Sequence, residues 1–134
     1  KNEVYEKAVK DLKKININVV THIIVGLPYE TEEDILNSVK FAVENKTDGI
    51  KLQLLHVLKN TPLEKLYEET HFPILTKDEY ANIIVKCISI IPPDVVIHRF
   101  TGDGNKKNLI APLWSGNKKD VLNTINKKIS ESFK

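Results

Sequence analysis

The segment that most restricts the fold is Ile15-Asn-Ile-Asn-Val-Val-Thr-His-Ile-Ile-Val25, rich in β-branched side chains and closed by Gly26-Leu-Pro28. Branching at Cβ suits a pleated strand better than a helix. Near its end the run is apolar on both faces, as in parallel strands covered by helices. Thr31-Glu-Glu-Asp34 then has the spacing of a helix-capping box. Ile35, Val39 and Val43 put one apolar stripe on a helix reaching Asn45. Asp48-Gly49 turns the chain into a second strand, Ile50-Lys-Leu-Gln-Leu-Leu-His56. Strand, helix and strand within about forty residues make a βαβ unit.

Helices are expected on either side of this unit. Val4, Ala8 and Leu12 recur every four residues and predict an amphipathic helix over 3–14. Thr61-Pro62-Leu63-Glu64 opens a short helix with proline at its first position. Thr76-Lys-Asp-Glu79 opens a longer one with Tyr80, Ile84, Cys87, Ile88 and Ile91 on one stripe, and Pro92-Pro93 stops it. Val95 to Phe100 is a third strand, ending at Thr101-Gly-Asp-Gly104. A loop around Trp114 leads to a final helix, with Leu122, Ile125 and Ile129 inward and paired lysines outward. Strands near 17–25, 50–56 and 95–100, linked through helices, give an α/β layer structure of the barrel kind.

The 134 residues suffice for one core, and a net charge of +2 does not argue for nucleic acid. No apolar run approaches the roughly 20 residues that cross a bilayer, and the first apolar stretch, following Lys13 and Lys14, is expected to be a strand and not a signal peptide. Cys87 is the single cysteine, which excludes an internal disulfide and a cysteine metal cage and fits a reducing, cytoplasmic setting. The chain lacks methionine and starts at Lys1. Residues 1–134 are therefore expected to be one fragment of a longer polypeptide, whose missing half is its first partner. Three strands are few for a free-standing sheet.

Functional groups in parallel α/β folds collect beyond the carboxyl ends of strands. Here those ends are 22–30, 56–61 and 98–103, and three of the four histidines lie on or beside them. Strand parity puts Asn18, Val20, His22, Ile24 and Gly26 on one face, with Ile17, Val19, Ile23 and Val25 on the other. Lys51, Gln53 and Leu55 oppose the aliphatic Ile50, Leu52 and Leu54. The aliphatic faces should meet the helices. His22, Lys51 and Gln53 then point into the barrel, towards a substrate or an internal polar network. Gly26 allows close approach of a ligand to the backbone, or a plain strand-to-helix turn. Asp103 is a candidate catalytic carboxylate, or part of a turn. Cys87 belongs to the core and His71 to a loop.

His22-Ile-Ile-Val-Gly-Leu-Pro-Tyr-Glu-Thr31 resembles the fifth-strand segment of radical SAM enzymes, an apolar strand followed by G-L-P-G-[EQ]-T. Leu54-Leu-His-Val-Leu-Lys-Asn-Thr-Pro-Leu63 resembles the next strand and its G-T-P-L exit. Val96-Ile-His-Arg-Phe-Thr-Gly-Asp103 and Ile110-Ala-Pro-Leu-Trp-Ser115 are similar to the closing segments of one subgroup, the Fe–S oxidoreductases related to the Elongator catalytic subunit. The resemblance covers nearly the whole chain. It implies the C-terminal part of a partial (βα)6 TIM-like barrel. It also implies S-adenosylmethionine and a [4Fe–4S] cluster in the parent, cleavage to a 5′-deoxyadenosyl radical, and modification of tRNA. The cluster loop is absent from this chain, so the metal ligands are not here and the fragment alone is expected to be inactive. Carried over by resemblance, Ile24, Gly26, Leu27, Leu55 and His56 face the adenosyl group. His22, Lys51, Gln53, His98, Arg99 and Asp103 face the substrate. Tyr29 replaces the second glycine of G-L-P-G, Glu30 is set one residue late, and Asn60 stands where glycine is commoner. Glu30 can equally serve the helix start. Two other readings stay open: a lyase or aldolase barrel using Lys51 as a Schiff-base amine, or a non-catalytic RNA- or protein-binding module using Lys118, Lys119, Lys127 and Lys128.

Overall fold

A computed structural model describes residues 2–99 and 106–132. The strands β1 (Val20–Val25), β2 (Gly49–Leu54) and β4 (Val96–Arg99) form a parallel sheet in the order β1-β2-β4. Alternation along β1 buries Ile23 and Val25, and along β2 it buries Ile50, Leu52 and Leu54. These side chains pack against α2 (Glu32–Glu44), α4 (Lys77–Ile90) and α5 (Lys118–Ser132) through Ile35, Val39, Tyr80, Ile84, Cys87, Val121 and Ile125. The other face of the sheet carries no helix from this set. Val20, His22 and Ile24 are exposed there, and Lys51 and Gln53 are half-buried. The chain is thus an α/β layer with one closed and one open sheet face, the arrangement expected of part of a barrel wall.

The predicted capping box at α2 is present, and α4 opens with a second. Thr31 and Asp34 satisfy each other's backbone amides at the start of α2, and Thr76 and Glu79 do so for α4. The short helix α3 (Pro62–Thr70) begins with proline behind Thr61, as its spacing predicts. Ile91 leaves α4 in an extended conformation, as a residue before proline must.

The helix α1 (Asn2–Lys14) corrects the predicted stripe. Val4 is 73% exposed, and Ala8 and Leu12 also face outward, whereas Val9 is buried. Tyr5 turns inward to meet Phe41 at 5.5 Å between ring centres, with its hydroxyl 2.8 Å from Thr21 Oγ1. A helix offers several near-equivalent apolar spacings, and packing chose the one led by the aromatic ring. The first strand also starts later than expected. Asn16 takes a left-handed backbone at φ 61°, and the Ile17 amide donates to Leu12 O at 3.0 Å. Residues 15–17 therefore finish the helix, leaving Ile15 and Ile17 exposed outside the strand. At the other end Leu122 is exposed and Val121 takes the inward place with Ile125. Val121, Ile125 and Ile129 share one helical face, with Leu122 about 100° round from Val121.

The stretch after β2 contains two strands that periodicity does not reveal. The two residues of β3 (Val57–Leu58) pair antiparallel with β5 (Leu109–Ala111). With Phe72, Leu63, Tyr67 and Ile74 they form a second small core at the end of the sheet. Strands of two and three residues are too short to show alternation.

Candidate functional site

The amino end of the sheet is tied off by a polar network. Buried Thr47 has its hydroxyl 2.8 Å from Thr21 Oγ1, 2.9 Å from Gly49 O and 3.1 Å from Val19 O. Asp48 accepts from the Val19 amide at 2.8 Å and from Lys13 Nζ at 2.7 Å. Those two bonds hold its carboxyl below the usual carboxylate range, the Lys13 bond most strongly. Every hydroxyl and carboxylate here has a partner, so this end serves stability.

The carboxyl end differs. After Val25 the chain turns at Gly26, whose φ of 100° excludes other residues without strain. A Cβ there would find ordinary contacts, 3.5 Å from Leu75 and 3.8 Å from Leu55, so conformation and not space requires the glycine. Leu27 to Glu30 form a turn closed by Glu30 N–H to Leu27 O at 3.1 Å, with proline second and Tyr29 third at φ 64°. Pro second and a left-handed third residue define a type II turn. That geometry explains why the related pattern has glycine at the third place. Asn60 is likewise left-handed at φ 63°. The Leu55 amide donates to Val25 O at 2.9 Å and draws the two strand exits together.

Two polar atoms at this end are buried without a partner among the described residues, Glu30 Oε1 and His56 Nε2. Burial lifts the Glu30 carboxyl above the usual range, and Asp34 adds to the effect, while the Leu27 amide opposes it. Glu30 does not serve the helix start, because Thr31 and Asp34 complete the cap without it. It lines a cleft of about 490 Å³ along the free edge of β1, beside His22, Ile24, Leu27, Asn37 and Ser38. Burial lowers the affinity of His56 for a proton, and the Lys118 ammonium lowers it further. The neutral imidazole left there can donate or accept one bond.

The predicted residues fall into two groups. Gly26, Leu27, Leu55 and His56 gather at the strand exits. His56 follows β2 instead of ending it. On the open face His22 is registered with Lys51, and Ile24 with Gln53. His98 joins this face through a bulge, since Ile50 pairs with Ile97 but Lys51 with Arg99. Its ring lies over Gly49, where an added Cβ would be 2.7 Å from Nε2. Asp103 lies outside the described residues, and for Arg99 only the backbone register is stated. Lys118, Lys119 and Lys127 are exposed on α5.

Glu30 and Gly49 were not singled out as members of the site by their pattern. A leftover acid in front of a complete capping box is the signal for Glu30. Gly49 reads as half of an Asp-Gly turn, and nothing local shows that a ring from the neighbouring strand β4 covers it.

Cys87, buried on α4 with its thiol pushed up to about 12 mainly by burial, is unsuited to ligate iron. No group of three metal-ligating side chains occurs among the described residues. No described helix is long and apolar enough to cross a membrane.

Residues 47–131 match the family model described as the Radical_SAM C-terminal domain. Uncharacterized protein YtqA of Bacillus subtilis is 41% identical over 93% of this chain, which spans 39% of that protein. Protein YhcC of Escherichia coli K12 is 31% identical over 85% of this chain and 37% of its own length. Uncharacterized protein MJ0486 of Methanocaldococcus jannaschii is 28% identical over 96% of this chain and 39% of its own. The chain thus spans about two fifths of these relatives. Among solved structures, the archaeal Methanocaldococcus infernus Elp3 with an N-terminal deletion superposes with a TM-score of 0.76 over 94% of this chain and 30% of its own. At 23% identity that likeness speaks for the fold.

Proposed function

Because this chain belongs to the radical SAM C-terminal domain family, we propose that it supplies the adenosyl- and substrate-facing end of a radical SAM enzyme's barrel. The observation that carries this reading is the rim itself. His56 Nε2 is buried with no partner among the described residues, one residue after Leu55, whose amide is bonded to Val25 O across the strand exits. A buried nitrogen of this kind needs a hydrogen-bonding group from water or a ligand.

S-adenosylmethionine, when bound to a reduced [4Fe–4S] cluster, supplies a 5′-deoxyadenosyl radical that abstracts hydrogen. The residues of this chain fit the adenosyl half of that cofactor and not the cluster, since the lone thiol is buried and held protonated. Ile24 and Leu55 would pack the adenine, Gly26 and Leu27 would border it with backbone, and His56 would hold a polar atom of it. His22, Lys51, Gln53 and His98 would line the space for substrate, with Arg99 and Asp103 following them in the chain. The Elongator-related resemblance makes a transfer RNA the first substrate to try, in a reducing cytoplasmic setting. The aldolase and simple binding-module readings lose ground to the family membership.

The test uses the full polypeptide that carries these residues, with its cluster reconstituted. It should cleave S-adenosylmethionine under dithionite. Separately, calorimetry should show binding of S-adenosylmethionine weakened about tenfold by His56→Ala, the loss of one well-placed bond to a buried group. Undiminished binding in that variant would remove His56 from the site. No cleavage by a properly loaded protein would sink the enzymatic reading.

A further inference from the structure

The open sheet face carries a row of basic residues that neither the core nor the rim uses. Register sets His22 opposite Lys51 and Lys51 opposite Arg99. Neighbouring strands lie about 4.8 Å apart, so the row spans about 10 Å across the middle of the sheet. The bulge adds His98, with its ring over Gly49. The remaining described side chains on this face are Val20, Ile24, Gln53 and Val96, none of them acidic.

Lys51 is the informative member. It is half-buried, yet has no hydrogen bond or ion pair among the described residues. By contrast Lys13, Lys77 and Lys86 each meet a carboxylate within 3 Å, at 2.7, 2.7 and 2.9 Å. An ammonium removed partly from water seeks an acceptor, and an anion satisfies it best. It cannot turn to the other side, where Ile50 and Leu52 are sealed under the helices. His22 and Lys51 also lie about 10 Å below the strand exits, three residues back along β1 and β2.

We infer that His22 and Lys51, with His98, form an oxyanion site that takes a phosphate or carboxylate group of the substrate. An ammonium and two imidazoles on one sheet face present donors, and none of the described strand side chains on that face is acidic. Gln53, one step nearer the rim on the same face, adds an amide for the polar atoms next to that group. The inference rests on the proposed function only in giving the anion to the enzyme's substrate. The site itself stands on register and burial.

The experiment follows the ring C–H signals of His22 and His98 by NMR in the full polypeptide, titrating inorganic phosphate and, separately, acetate. Chloride holds the ionic strength constant. Saturable shifts are expected at both rings and not at His71, which caps α3 elsewhere. Lys51→Met should weaken the binding about tenfold, the loss of one charge-assisted bond, while Lys51→Arg keeps it within a few-fold. His98→Gln, at an exposed position that leaves folding untouched, should also weaken it, and Lys119→Met should not. Saturation by phosphate alone assigns a phosphate group, and equally tight acetate binding assigns a carboxylate. Absence of saturation by either anion, or unchanged affinity in Lys51→Met, overturns the site. Because no step of this test needs cofactor cleavage, its failure is distinguishable from failure of the enzymatic reading.

Discussion

Replacing Gly49 with alanine tests where the His98 ring lies. The added methyl would stand 2.7 Å from Nε2, 2.8 Å from Cδ2 and 3.1 Å from the Val96 carbonyl oxygen. The two ring contacts are the severe ones and the ring must be displaced, whereas the carbonyl contact asks β4 to give by only a few tenths of an ångström. Such crowding costs about 1–2 kcal/mol. Alanine in a strand returns about 0.5–1 kcal/mol relative to glycine. Gly49→Ala should therefore destabilise by about 0.5–1 kcal/mol in the parent. In a His98→Ala background most of the clash is gone, and the same change should be close to neutral. The coupling between the two sites is then about 0.5–1 kcal/mol, above the additivity error of about 0.3–0.5 kcal/mol for independent positions. With a urea m-value of about 1.5 kcal/mol/M, that is a midpoint difference of about 0.3–0.7 M. Urea unfolding followed by Trp114 fluorescence and by circular dichroism measures it, and coincident transitions license the two-state treatment. Additive midpoints across the four proteins would refute the ring's placement over Gly49, and with it His98's membership of the open face.

The remaining expectations are local. Thr31→Ala and Thr76→Ala each remove a side-chain cap, and each should lower stability by about 1 kcal/mol in the same urea assay. Glu30 has its folded-state carboxyl raised by burial, so its share of stability is full below the ordinary carboxyl range and is lost as pH rises through the raised value. Glu30→Gln should match the parent at low pH and exceed it above that window, and a constant difference across pH would contradict the burial of Oε1. The Cys87 thiol, pushed up to about 12 and enclosed by α4, α2 and the sheet, should resist iodoacetamide in the folded protein and react once urea unfolds it.

Much of this architecture was legible before any coordinates. Thr31 and Thr76 stand three residues before an acid, and both capping boxes formed because the bonds lie within one turn of chain. Alternation in His22-Ile-Ile-Val and Lys51-Leu-Gln-Leu assigned faces correctly, since a strand's period is two wherever it lies. Helix α1 was misread for the converse reason. Val4, Ala8 and Leu12 make an acceptable stripe, but β1 offered Thr21 and α2 offered Phe41 to Tyr5, and only the third dimension presents that choice.

The site divides along the same line. The sequence alone determined that His22, Lys51 and Gln53 leave the helix-facing side of their strands, and that Gly26 ends one of them. Only the tertiary structure decided that His22, Lys51 and Arg99 stand at one level, because register depends on how three separated strands slide against one another. It also decided that a bulge carries His98 over Gly49, and that Glu30 and His56 each lose water without gaining a partner among the described residues. Burial and register belong to pairs of segments distant in sequence, and no local pattern encodes them.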